Sequence, residues 1–481
     1  MKNKRDMYID NKHTYYKKHK RSKNRKNRGS HTAGRIAAIV IIIAAMIGFS
    51  AFYITRVKLN AEDESRKAQE DIKSGTVTKD ETGDMLNTTK SDENQYGQNA
   101  ISADVKENGT DQEDGNIQSK IPQGNTVQSE ESETSGELKE SFMPGYIDKR
   151  KPIKVKGIYV TGPRAGKDSY MKDLIDMVDT TELNTMVIDI KNDNGEVTYK
   201  MDLPEVQEIH ADVNYIGNIK ELISELKEKN IYLIARVVAF KDPILAKARP
   251  DLCLKKKDGT VFYDKNGLSW VNPYKKEVWE YLISVAREAA LLGFDEIQFD
   301  YIRFSTDSGI KDVDFGEEAK DESKMDVITE FTKYACENLK PLGVYVSADV
   351  FGTIIDSKVD SELVGQNYKE MAKYLDYICP MIYPSHYNDG AYGIEHPDLK
   401  PYDLILSALD KSQTELKEVE GDKAVVRPWL QDFTATWLKN HKSYGADEIR
   451  DQIQAVYDAG YGEWILWNGN NDYTEEGLLK N

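Results

Sequence analysis

Between residues 155 and 468, short runs of β-branched and aromatic residues alternate with stretches whose apolar positions recur at helical spacing. The runs predict eight strands, over 155–161, 185–191, 231–239, 296–304, 344–351, 377–383, 425–433 and 463–468, with helical stretches such as 218–230 and 277–293 following each. Such alternation is the signature of βα units around a parallel sheet. Eight units predict an α/β fold, a (β/α)8 TIM barrel. The structural competitor is a doubly wound open sheet. Against it, "TGPRAGKDS" after the first strand fits neither G-x-G-x-x-G nor a P-loop.

Parity along the strands adds detail. In a barrel both faces of a strand are buried, one under the helices and one toward the axis, and side chains alternate between them. Met186, Ile188 and Ile190 share a face, leaving Asp189 and Lys191 for the axis. Arg236 opposes Leu233, Ala235 and Val237, and Ser347 and Asp349 oppose Val346, Ala348 and Val350. In "DEIQFDYIRF", Glu296, Gln298 and Asp300 share one face, and Ile297, Phe299 and Tyr301 the other. Arg427, Trp429 and Gln431 align on the seventh strand, and Trp467 ends the eighth. The axis-facing set is therefore polar toward the C-terminal strand ends, where barrel enzymes place their active sites.

The ends of the chain look different. Residues 1–35 hold thirteen Lys and Arg against two Asp, and 36–54 are nineteen uncharged, mostly apolar residues. As a helix they would span roughly 28 Å, enough to cross a bilayer once, with the basic tail cytoplasmic and the remainder outside. A cleaved signal peptide is the alternative, but the apolar run is longer than the usual one and no small-x-small site follows it. Residues 55–144 read as a disordered linker: from 61 to 140 there are twenty Asp and Glu, eight Lys and Arg, and one aromatic residue, Tyr96. The barrel domain is expected over 145–481. Of the formal net charge of −17, residues 141–481 carry −18, which argues against nucleic acid as a partner. Cys253, Cys336 and Cys379 lie far apart without metal-ligand spacing, so neither a disulfide framework nor a metal is expected.

The candidate chemistry follows from which groups the axis set contains. It has carboxylates, arginines, Tyr and Trp, but no His pair or Cys cluster for a metal and no nucleophile elbow for a serine hydrolase. A Schiff-base Lys191 is a weak option. What remains is paired-carboxylate chemistry beside flat aromatic faces, the means by which glycosidases work.

The segments "VKGIYVTGPRAG", "NTMVIDIKNDNGEVTY", "IYLIARVVAFKDPILAKARPD", "WVNPYKKEVWEYLISVAREAALLGFDEIQFDYIRF", "YVSADVFG" and "CPMIYPSHY" occur in order. Together they resemble the putative glycoside hydrolase domain family, a barrel group distantly similar to α-amylase-like and melibiase-like glycosidases. The resemblance spans about 146–481. It implies a (β/α)8 fold and glycosidase activity, with Asp300 matching the fourth-strand nucleophile and Asp349, by position, the acid/base. The chain departs from the amylase pattern in having Asp rather than Glu at 349 and no R-x-D before Asp300. Asp189 and Arg236 are expected as a buried pair orienting neighbours. Substrate contacts are expected from Arg303, from the platforms Tyr383, Tyr387, Trp429 and Trp467, and from His386, Gln431 and Asn468. The expected function is a membrane-anchored extracellular glycoside hydrolase acting on a polysaccharide or cell-wall glycan, without cofactor. The alternative is a barrel that binds glycan without cleaving it, as a cell-wall scaffold or sensor.

Overall fold

The computed structural model describes Asp148 and residues 150–481. The expected tail, apolar span and linker, residues 1–144, lie outside the described residues; among the described ones no helix is long and apolar enough to cross a membrane.

Eight parallel strands form the barrel: β1 (Lys156–Val160), β2 (Thr185–Lys191), β3 (Tyr232–Val238), β4 (Glu296–Asp300), β5 (Tyr345–Phe351), β6 (Tyr377–Met381), β7 in two pieces (Val425–Val426 and Trp429–Gln431) and β8 (Trp464–Trp467). They pair in chain order, and β8 returns to β1 with Trp464 beside Lys156, which closes the sheet. Around it run α1 (Asp168–Thr180), α2 (Ile219–Glu228), α3 (Lys276–Leu292), α4 (Lys324–Leu339), α5 (Lys358–Val364), α6 (Tyr368–Ala372), α7 (Pro401–Leu416) and α8 (Ala446–Asp458). The expected helix after the last strand is only a 3-10 turn, Glu475–Gly477.

Local chemistry sets the helix boundaries. The Asn218 side chain accepts from the Glu221 N–H at the start of α2, and Ser323 and Asp326 cap α4 reciprocally. Gly293 ends α3 at φ 111°, a conformation glycine adopts without steric cost. The inner faces of these helices cover the outward face of the strands. Phe331 of α4 shows the packing: its ring meets Phe240 at 5.2 Å, Trp279 at 5.5 Å and Phe299 of β4 at 5.4 Å, all at steep angles.

Three backbone events depart from simple alternation. A bulge in β2 pairs Asp189 with Arg236 but Lys191 with Val237, so Ile190 is the extra residue and Lys191 turns to the helix side. There its ammonium donates to the Val238 carbonyl at 2.8 Å and meets Asp242 at 2.9 Å, with both side chains fully buried. The fourth strand stops at Asp300 rather than Phe304, because Tyr301 takes a left-handed φ of 50° and turns the chain out. The seventh is interrupted at Pro428, which has no N–H to give the ladder.

Inside the barrel the lower layer is ionic. Arg427 donates from Nη1 to both oxygens of Glu296, at 2.8 and 3.0 Å, and from Nε to Glu463 at 2.9 Å. Ser347 and Tyr232 hydroxyls add donors to Glu296, and the guanidinium lies 3.7 Å from the Tyr377 ring centroid. Arg427 and Glu296 have no solvent exposure. Burial pushes the Glu296 carboxyl above its ordinary pKa even with Arg427 beside it. This layer closes the floor and leaves the opposite, C-terminal end for the upper layer. There the β3–α3 and β4–α4 loops join through an antiparallel ribbon, Lys255–Lys256 with Val313–Asp314.

Candidate active site

The upper layer assembles from neighbouring strands. Asp189 of β2 registers with Arg236 of β3, whose strand continues until Val238 lies beside Asp300 of β4. One step beyond the last registered pair of β4 and β5, Phe299 beside Ala348, come Asp300 and Asp349.

Arg236 bridges two carboxylates. Nη1 donates to Asp189 Oδ1 at 2.6 Å, while Nε and Nη2 both donate to Asp300 Oδ2, at 3.0 and 2.5 Å. The Tyr301 N–H donates to Asp300 Oδ1 at 2.6 Å, a contact made by the left-handed turn at Tyr301. Both oxygens of Asp300 are thus held by donors. Asp189 Oδ2 accepts from the Tyr159 hydroxyl at 2.5 Å. Burial pushes the Asp189 pKa up, with Arg236 opposing it. Since donors occupy both of its oxygens, the geometry fits the ionised form. Burial by itself would lower the pKa of Arg236, but the charges of Asp189 and Asp300 more than offset this and raise it.

Asp349 meets the opposite conditions. It is 2 % exposed, and its one side-chain hydrogen bond among the described residues comes from Trp429 Nε1 to Oδ1, at 2.6 Å. Burial, followed by the negative charge of Asp300, raises its carboxyl well above the ordinary range, against the Trp429 donor and Arg236. Two axis carboxyls on adjacent strands therefore meet opposed surroundings: Asp300 accepts from a guanidinium and a backbone N–H, while burial and the charge of Asp300 push Asp349 toward its protonated form. Such a pair can supply a nucleophile or base on one side of a bond and a proton on the other.

A wall of rings stands beside this pair. Tyr383, whose hydroxyl pKa is raised by burial and then by Asp349 and Asp300, has its ring 5.6 Å from Trp467 and 5.3 Å from His386. Phe433 packs edge-on to Trp467 at 5.3 Å and stacks on Trp437 at 5.8 Å and 21°. Trp437 is 65 % exposed, so the wall runs from the buried carboxylates out to solvent. His386, an exposed residue, sits in this wall. The protein around it still disfavours the imidazolium and lowers its pKa.

Several residues expected at the substrate have partners within the protein. Trp429 is 2 % exposed, so it serves Asp349 as a hydrogen-bond donor and has no face for a sugar. Gln431 is buried: its amide oxygen accepts from the Ser385 N–H and hydroxyl, and its amide nitrogen donates to Asp398. It therefore holds the loop that carries His386. Asn468 donates to the Asp432 and Asp472 carbonyls and accepts from the Asn470 N–H, so its amide is used within the C-terminal turn. Tyr387 packs with the outer core near Tyr392, apart from the Tyr383 wall. It presses on Gly352, where a Cβ would come within 2.2 Å of its hydroxyl oxygen. Arg303 lies at the rim but does not pair with Asp300; Arg236 does.

The sequence reading missed Tyr159, Phe433, Trp437 and Tyr473. Axis parity in the first strand could have singled out Tyr159. Tyr473, whose hydroxyl donates to the Tyr159 carbonyl at 2.5 Å, follows the last strand and carries no periodic signal. Among the described residues no group of three or more His, Cys, Asp or Glu is placed to hold a metal. A groove of about 460 Å³ between α3 and α4, lined by Lys276, Trp279 and Tyr334 among others, lies outside the barrel.

The chain is similar to known proteins. A family model described as "Putative glycosyl hydrolase domain" matches residues 157–473. No curated protein matches the chain. Among solved structures, a hypothetical protein from Ruminiclostridium thermocellum ATCC 27405 is 40 % identical, with 40 % of this chain and 97 % of that one covered and a TM-score of 0.38. The PgaB (BpsB) glycoside hydrolase domain from Bordetella bronchiseptica is 11 % identical, with coverage of 68 % and 99 % and a TM-score of 0.47. An α-galactosidase from Thermus thermophilus is 12 % identical, with coverage of 67 % and 60 % and a TM-score of 0.41.

Proposed function

The chain belongs to the putative glycosyl hydrolase domain family, and from that membership we propose that its barrel hydrolyses glycosidic bonds with Asp300 and Asp349 as the reacting pair. The carrying observation is the opposed environments of the two carboxyls: Arg236 donates twice to Asp300, while burial and the Asp300 charge keep the proton on Asp349. Asp349 would protonate the leaving oxygen as the bond breaks. Asp300 would act on the anomeric carbon from the other side, directly or through a water. Water then supplies the hydroxyl and proton that complete the hydrolysis, and Asp349 recovers its proton.

Asp349→Asn is expected to lower kcat by about 10²–10⁴-fold on any glycan the chain cleaves, the usual worth of a general acid. The acid must be protonated, so activity falls as pH rises through the Asp349 pKa, and this basic limb should vanish in the variant. Trp429 favours the ionised form of Asp349, so Trp429→Phe should move the limb to higher pH. A limb that stays in place in both variants would exclude Asp349 as the acid. A glycan that binds but is cleaved by no form of the chain would favour the scaffold reading.

The aromatic wall supports a saccharide chain rather than a single sugar. Trp437 stands exposed beyond Phe433 and Trp467, where a sugar ring away from the scissile bond can lie on its face. Trp437→Ala should raise KM for long substrates by roughly 3- to 10-fold, a stacking worth of about 0.5–1.5 kcal/mol, and leave a short aryl glycoside unaffected. Equal effects on both substrates would count against an extended cleft.

The reading also includes anchoring by residues 36–54, with the barrel outside the membrane. Alkaline carbonate, which strips peripheral proteins, should leave the full chain in the membrane pellet, and its release to the supernatant would refute the anchor.

A further inference from the structure

The rim carries a cation that the proposed reaction does not use. Arg303 follows Asp300 by three residues, on the segment that leaves β4 at Tyr301. Its guanidinium carbon lies 4.6 Å from the ring centroid of Phe351, 5.0 Å from Tyr301 and 5.2 Å from Trp270. Among the described residues its one hydrogen bond runs from Nη1 to the neighbouring Phe304 carbonyl at 2.9 Å, and no carboxylate reaches salt-bridge distance. The carboxylates whose charge reaches it have other hydrogen-bond partners: Asp300 holds Arg236, Asp307 accepts from the Ser305 hydroxyl at 3.3 Å, and Asp264 from the Trp270 indole N–H at 3.2 Å.

A guanidinium has five N–H donors in a planar fork that matches an oxyanion. Ring faces attract its charge and exclude water from it, but they leave the in-plane donors free. One of the five is used within the protein. Arg303 is half-buried with no carboxylate at salt-bridge distance, and burial lowers its pKa against the more distant charges of Asp300, Asp307 and Asp264. Its position is also informative. Phe351 lies two residues beyond Asp349 on β5, so the fork sits above the two strands that carry the carboxyl pair. In a domain of charge −18, it marks one spot at which an anion gains.

We propose that Arg303 is an anion-recognition residue that receives a carboxylate, or a sulfate or phosphate ester, borne by the glycan, so that the substrate is an acidic polysaccharide. The glycan part of this statement rests on the glycosidase reading; anion binding at Arg303 does not.

The test is equilibrium binding to the full chain by calorimetry, with glucose, glucuronate, glucose 6-sulfate and inorganic sulfate as probes. At least one anionic sugar should bind about tenfold tighter than glucose, the worth of one charge-assisted contact. Arg303→Met should remove that advantage while glucose affinity stays within about twofold, and Arg303→Lys should keep part of it. Glucuronate ahead of glucose 6-sulfate assigns the carboxylate, and the reverse order assigns the ester. Equal affinities of the three sugars for the unaltered chain, or equal losses of glucose and glucuronate in Arg303→Met, overturn the proposal. If no sugar binds, sulfate decides: binding that Arg303→Met loses supports the site, and no binding overturns it. A chain that cleaves no glycan yet keeps the Arg303-dependent preference would refute only the glycosidase reading.

Discussion

Asp300→Asn is expected to reduce kcat by about 10⁴-fold or more, the scale of losing a group that acts directly in bond breaking. The neutral amide is a poor nucleophile and cannot act as the base that activates a water. It also withdraws the anion that Arg236 contacts with Nε and Nη2 and that keeps the proton on Asp349. The Asp349 pKa should therefore fall in the variant, so that less of it carries the proton at a given pH. The loss should be in kcat far more than in KM, because the aromatic wall and Arg303 are untouched. Circular dichroism and the glucuronate affinity serve as controls for folding. Hydrolysis within tenfold of the unaltered chain would remove Asp300 from the reaction.

The largest expected effect on stability lies at the opposite end of the barrel. Arg427→Met leaves Glu296, with no solvent exposure, and Glu463, 8 % exposed, without their guanidinium. Removing one partner of a buried ion pair costs about 3–5 kcal/mol, a fall in Tm on the order of 6 °C or more. The sign with pH follows from the carboxyl. Burial already holds Glu296 above its ordinary pKa, and loss of Arg427 raises it further. The folded variant then binds more protons than the unfolded chain, so its stability should fall as pH rises from the ordinary Glu range through the raised value. Urea titration at pH 5 and pH 8 should show the deficit growing with pH, and Glu296→Gln added to Arg427→Met should flatten that trend. A deficit independent of pH would mean that lost packing, and not the uncompensated carboxylate, dominates.

Most of the barrel was legible because strand periodicity is a local property. Gly157–Tyr159, Met186–Ile190 and Val346–Val350 alternate between helix side and axis by the geometry of an extended chain, whatever they meet. The same parity brought Asp189, Arg236, Asp300 and Asp349 to one axis without knowledge of their contacts. It failed where a single residue altered the count. The extra residue at Ile190 turned Lys191 away to Asp242, and the left-handed Tyr301 ended a strand four residues early.

The candidate site was legible in membership but not in roles. Trp429 and Trp467 look alike as aromatics at strand ends, yet one is buried as the donor to Asp349 and the other opens to the rim. Arg236 and Arg303 are both arginines at the C-terminal strand ends, and only Arg236 touches Asp300. Phe433 and Trp437, in the loop after β7, follow no period and became visible only through their stacking.

Residue order alone thus sets the eight-unit barrel and the polar character of its axis, since both follow from spacing within single strands. The chemistry of each polar group depends on partners 64 residues away for Arg236 and Asp300, 80 for Asp349 and Trp429, and 131 for Glu296 and Arg427. Those partners meet through strand register and barrel closure, which bring a guanidinium to Asp300 and leave Asp349 buried with a single indole donor.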